Sequence, residues 1–154
     1  MSHRLEAAPH PPLSKEALGA WLATCQLEGF SIKENNTSEF MINGQPVTEG
    51  KLVGVNKDGY VAMVITDYAA DSSAFLNLYR RYLWESPAEP SPGLDWVKEY
   101  GGFAWIWKED GSDIQYLEAG ILDRFHLRVR SNLPDSDSLL QEVAASHRWQ
   151  SIHR

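Results

Sequence analysis

The sequence predicts a single-domain α+β fold: an antiparallel sheet of about five to seven strands, with an N-terminal, a central and a C-terminal helix, in the order helix–strands–helix–strands–helix. Three observations carry this. Apolar residues recur with helical spacing in three separate stretches. Between them the period changes to two. The strands so defined are joined by turns too short for a crossover, which makes neighbours antiparallel.

The elements follow in order. Residues 1–12 hold nothing periodic and read as a flexible leader, so the domain proper is 13–154. Ser14 is suited to cap a helix on which Leu18, Trp21, Leu22 and Cys25 share one face, with Gly29 placed to end it. Phe40 and Ile42 alternate about Met41 before Asn43-Gly44, a strong hairpin signal. Pro46 then implies a short returning edge strand. Lys51–Val55 and Tyr60–Tyr68 form a second pair, and the apolar run Val61–Ile65 implies a central strand covered on both faces. Asp71-Ser72-Ser73 opens the central helix, whose stripe is Phe75, Leu76, Tyr79, Tyr82 and Leu83. Residues 85–93 contain three prolines and read as a long loop, and Leu94–Tyr100 as one helical turn. Strands are expected at Phe103–Lys108, Asp113–Ala119 and Asp123–Arg130. A helix from Pro134-Asp135 then turns Leu139, Leu140, Val143 and Ala144 inward. The helices are expected mainly on one face of the sheet.

A chain of 154 residues, 43% hydrophobic and 23% charged, has the balance of an ordinary folded domain. Its net charge of −7 opposes binding to nucleic acid or an anionic membrane and favours a basic protein partner. The single cysteine excludes an internal disulfide, and no apolar run has the length of a signal core or a membrane span. A cytoplasmic location is therefore expected.

The chemistry-bearing residues are dispersed. His3, His10, His126, His147 and His153 show no metal-site spacing, so no metal or other cofactor is expected. Cys25 lies in line with an apolar helix face near its C-terminal end, where the dipole disfavours a thiolate. There is no nucleophile elbow, and Gly101-Gly102 precedes a strand, so it lacks the helix N-terminus of a phosphate loop. The carboxylates Asp67, Asp71, Glu109, Asp110, Asp113, Glu118 and Asp123 fall mostly in turns and caps. The chain is read as a non-enzyme.

Two surfaces stand out instead. Phe103, Trp105 and Trp107 line one face of a strand, to be covered within the chain or, if open, by a partner. On the strand from Asp123, Arg124, His126, Arg128 and Arg130 share one side. They form either a solvent face balanced by acidic neighbours or a basic stripe that engages an acidic segment or an RNA backbone, with the overall acidity counting against RNA. Trp84 and Trp96 flank the proline-rich loop and are further candidate contacts.

The element order is similar to that of class I type III secretion chaperones and of Mog1/PsbP-like domains. The first resemblance implies a small acidic bacterial protein that pairs as a homodimer through its sheets. Together these readings predict a protein-binding module, either an immunity or inhibitor protein that neutralises a basic toxin or a chaperone-like partner of a secreted effector. The alternative is an enzyme or small-ligand pocket on the open face of the sheet.

Overall fold

The computed structural model describes residues 11–152 except 70, 90 and 148. Most of the expected leader therefore lies outside the described residues, as do His3, His10 and His153. Among the described residues no helix is long and apolar enough to cross a membrane.

The elements are α1 (Lys15–Leu22), β1 (Ser31–Ile42), β2 (Gln45–Asn56), β3 (Gly59–Asp67), α2 (Ser72–Glu85), a 3-10 helix (Pro92–Tyr100), β4 (Phe103–Lys108), β5 (Gln115–Ile121), β6 (Phe125–Ser131), α3 (Asp137–Ala145) and a last 3-10 turn (Trp149–Ser151). The strands make one six-stranded antiparallel sheet in the order β1-β2-β3-β6-β5-β4. This is the helix–strands–helix–strands–helix α+β architecture expected from the sequence.

The near face of the sheet holds the main core. Leu52, Met63, Ile65, Leu117, Phe125 and Leu127 are buried there against Leu18 and Leu22 of α1 and Leu140 of α3. Ser14 caps α1, its hydroxyl accepting from the amide of Ala17 at 3.1 Å. The helix ends at Leu22, shorter than the Gly29 signal implies. The Thr24 hydroxyl donates to the carbonyl of Trp21 at 2.6 Å, and the amides of Thr24 and Cys25 turn back three residues to Trp21 and Leu22. Gly29, with φ +86, serves the turn into β1 instead. Cys25 is buried, and burial pushes its thiol up to about 12, which leaves it a core residue.

Four further expectations are corrected. β2 is a full interior strand rather than a short edge. Pro46 lies beyond the β2–β3 ladder, which begins at Thr48–Asp67, so its missing N–H costs that ladder nothing. The edge is β1, where a register shift leaves Lys33 outside the pairing. β5 begins two residues later than expected and runs on to Ile121, and β6 also begins two residues later, because Leu122-Asp123 forms the turn between them with φ of 59° and 56°. Leucine is an unusual residue for that left-handed conformation, and nothing in its chemistry marks it as a turn former. Finally, α2 packs on the far face of the sheet, opposite the other helices. It covers β4 and β5 and leaves β3 without a helix there.

The far-face core is small and aromatic. Phe75 and Leu78 of α2 are buried against Phe103 and Trp105, and Tyr82 packs against them with ring centroids 5.0 Å from Phe103. The inward stripe therefore includes Leu78 and omits Leu76 and Leu83, which are exposed. Gly120 permits this packing, since a Cβ there would collide with the Phe103 ring. At the other end of the molecule, Trp96 and Trp21 pack on Trp149 at 5.9 and 5.1 Å. His147 meets Trp21 and Trp149 edge-on, and burial lowers its pKa to about 4.

Two predictions follow from this packing. Gly120→Ala should cost roughly 1–3 kcal/mol, the usual penalty of overpacking, read as a lower urea midpoint with an unchanged m-value. His147 is held neutral, so its contribution is full above pH 6.5 and is lost as pH falls towards 4. The urea midpoint of His147→Phe should drop less between pH 7 and pH 5 than that of the wild type.

Candidate functional site

Alternation along the strands fixes which side chains share the far face, and the ladder lays them in rows. One row runs Lys51–Val64–Arg128–Glu118–Trp105 across β2, β3, β6, β5 and β4. The next runs Val53–Ala62–Arg130–Tyr116–Trp107, and on the other side lies Glu49–Thr66–His126–Gly120–Phe103. The aromatic end of each row lies on β4, and the other end, of mixed polarity, lies on β2 and β3 where no helix covers the sheet. Glu118 stands at the junction.

Glu118 is fully buried. His126 Nε2 lies 2.7 Å from Oε1. Arg128 donates from Nε to both oxygens at 3.1 Å and from Nη2 to Oε2 at 2.8 Å, and Trp107 Nε1 donates to Oε2 at 2.9 Å. From α2, Arg81 Nη2 comes within 3.5 Å of Oε2. Arg81 also pairs with Glu85, whose Oε1 accepts from the Trp105 indole at 3.3 Å. Burial by itself raises the Glu118 pKa, but hydrogen bonds and charge from His126 and Arg128 outweigh it and hold the group at about 2. A carboxylate so held stays ionised and is a poor proton shuttle near neutral pH. Its work is to tie α2, β4 and β6 to β5.

A second buried carboxylate, Asp67, closes the near-face edge. It accepts from Arg124 Nε at 3.0 Å and Nη2 at 2.6 Å, and from the amides of Leu13 and Ala69 at 2.8 and 2.9 Å. Arg124 is thus committed to anchoring the segment before α1. Asp71 caps α2, while Glu109, Asp110 and Asp113 lie exposed in the β4–β5 hairpin and Asp123 in the β5–β6 turn. Glu109, Asp110 and Asp113 share one hollow, an open one at the tip of the β4–β5 hairpin, away from Glu118 and Asp67. Among the described residues no group of three His, Cys, Asp or Glu side chains is placed to hold a metal ion.

The structure therefore divides the candidates named from the sequence. Trp105 is fully buried and Phe103 nearly so, which makes both core residues of the α2 interface and unavailable to a partner as the chain stands. Trp107 is half-buried and stacks on Tyr116 at 4.2 Å. Trp96 belongs to the aromatic cluster around Trp149. His126 and Arg128 are balanced across the ladder by Glu118, as a solvent-face reading of the basic stripe requires. Arg130 has no carboxylate partner among the described residues. Its guanidinium lies 5.9 Å from the Tyr60 ring centroid, and its buried Nε has no hydrogen-bond acceptor. Trp84 is 90% exposed at the end of α2.

Two surfaces remain. The outward side of α2 presents Leu76, Tyr79, Leu83 and Trp84. These positions lie i, i+3, i+7 and i+8 along the helix, so they form one stripe beside the buried one. The groove beside α2 is floored by Ala62 and Val64 and walled by Glu49, Lys51, Thr66, Tyr68, His126, Arg128 and Arg130, with a volume of about 360 Å³. Sequence periodicity missed the first surface because a stripe of Phe75, Leu76, Tyr79, Tyr82 and Leu83 mixes two faces of one helix. The parity of Arg128, Glu118 and Trp105 was available in the sequence, but the strand order that sets them side by side was not.

Glu118→Gln should destabilise the chain by about 3–5 kcal/mol, since it leaves Arg128 and Arg81 facing a neutral group. In the wild type the clamp contributes fully above pH 4.5 and is lost as pH falls from there towards 2. Chemical unfolding across that range should therefore show a shallower pH slope for the variant, and an unchanged slope would contradict the clamp. Compared with protein-family models, curated proteins and solved structures, the chain has no match.

Proposed function

We propose that the chain is a non-catalytic protein-binding module of the immunity or inhibitor type, which docks a partner protein on the outward side of α2. The observation that carries this reading is Trp84, 90% exposed and continuous with Leu83 at 61% and Leu76 at 46%. A helix already anchored through Phe75, Leu78 and Tyr82 gains nothing for its own fold from a second apolar stripe. Exposed tryptophan and leucine on a rigid helix match the anchors that dominate protein interfaces. The net charge of −7 favours a partner that is basic around this contact, with association steered electrostatically and weakened by salt. A second reading, a chaperone-like partner of a secreted effector, is supported by the order of helices and strands alone.

The test is a tagged chain used to capture its partner from host lysate, followed by binding measurements with the purified pair. Trp84→Ala should leave the melting temperature within about 2 °C of the wild type, because the side chain is solvent-exposed. It should weaken binding by about thirtyfold or more, the loss of roughly 2 kcal/mol expected at a hot spot. Equal affinity of wild type and Trp84→Ala, and of Leu83→Ala, removes α2 as the interface.

A further inference from the structure

The groove beside α2 differs from the rest of this acidic surface. Lys51, Arg128 and Arg130 line it against one carboxylate on its wall, Glu49, in a chain of net charge −7. Two of these cations are engaged: Lys51 pairs with Glu34 at 3.2 Å, and Arg128 uses Nε and Nη2 on Glu118. Arg128 Nη1 has no hydrogen bond among the described residues. The Arg130 side chain has none among the described residues, and its Nε is shut off from water. An acceptor brought from outside would meet the terminal Nη groups of Arg130, which unlike Nε are not closed off and have no acceptor of their own. Tyr68 adds a hydroxyl at the far end. Burial first, and then Glu49 and Asp71, push its pKa up, so it stays a neutral donor.

The shape of the groove selects among anions. It follows β3 from Ala62 to Tyr68, a distance of about 20 Å at roughly 3.4 Å per residue. It is about half open to solvent, whereas small-ligand sites enclose most of their ligand. His126, Arg128 and Arg130 stand on alternate residues of one strand, spaced by about 6.8 Å. An extended peptide repeats its side chains at that same interval. Val64, part-exposed between the charges, offers a small apolar contact.

We infer that this groove binds an extended acidic peptide segment, with one carboxylate forked on Arg130 and a second, two residues along, on the free Nη1 of Arg128. The site is separate from the outward side of α2 and stands or falls independently of it. A polyphosphate chain is the poorer occupant, because the surrounding charge of −7 repels a long polyanion while a short segment meets only the local cations.

The experiment uses the full chain and fluorescein-labelled peptides of the pattern Glu-Val-Glu-Val-Glu, read by anisotropy at 50 mM and 500 mM salt. The expected result is saturable binding that weakens at high salt and is lost when every Glu is replaced by Gln. Arg130→Gln should weaken it at least tenfold, Arg130→Lys less, and Arg80→Gln on α2 not at all. Thermal melts of each variant separate lost binding from lost folding. Should Arg130→Gln unfold, Arg130→Lys together with methyl shifts of Val64 upon peptide addition provides the same test. Equal binding of the Gln peptide, an unchanged affinity in both Arg130 variants, or peptide-induced shifts at Leu76 and Leu83 in place of Val64 would each overturn the inference. Tighter binding of a single-stranded oligonucleotide of equal charge would overturn the choice of peptide.

Discussion

The far side of this molecule depends on one ionised carboxylate placed where no water reaches it. Glu118 is enclosed on every side, and its charge survives because two guanidinium groups, an imidazole and an indole close on its two oxygens. A buried ion of this kind adds little net stability compared with an apolar core of the same volume. What it imposes is arrangement. Only one placement of α2 brings Arg81 to Glu118 while Phe75 and Leu78 settle on Phe103 and Trp105. The same carboxylate holds the Arg128 fork upright beside the open half of the sheet. Helix cover on one side of Glu118 and bare groove on the other are thus two results of a single constraint.

Much of the architecture was readable from residue order because it rests on local chemistry. The Asn43-Gly44 hairpin, the Ser14 and Asp71 caps and the six residues of β4 all follow from short-range rules that tertiary contacts did not override. The failures have separate causes. The end of α1 is set by a local threonine bond that the later Gly29 signal outweighed, the Leu122-Asp123 turn carries no turn-forming residue pair, and the two-sidedness of α2 is decided by distant strands, since a helical stripe containing both Tyr79 and Tyr82 looks the same whichever flank is buried. The site was legible in its ingredients only. Arg128, Arg130, Glu118 and the aromatic strand were all identifiable, yet their neighbourhood depends on β6 lying between β3 and β5, a pairing with no local signature.

The distribution of charge separates the two candidate surfaces. The cations set around the two buried carboxylates are paired, Arg124 with Asp67 and Arg128 and Arg81 with Glu118, and at the rim of the groove Lys51 pairs with Glu34. Arg130 stands among them on the same face without a carboxylate partner among the described residues, its Nε buried and without an acceptor. The outward side of α2 is unusual in the opposite sense, carrying hydrophobic area where a solvated helix normally carries polar side chains. One surface lacks an anion and the other lacks a nonpolar cover.

The register shift in β1 has a bearing on assembly. A twelve-residue outer strand is a ready template on which further copies of the chain could add, ladder upon ladder. At Lys33 the repeat is interrupted, and the surplus residue throws the strand out of step with any straight neighbour laid along its whole length. Contact along this margin is thereby confined to the stretch from Glu34 onward, which favours a finite pairing over an indefinitely growing fibre.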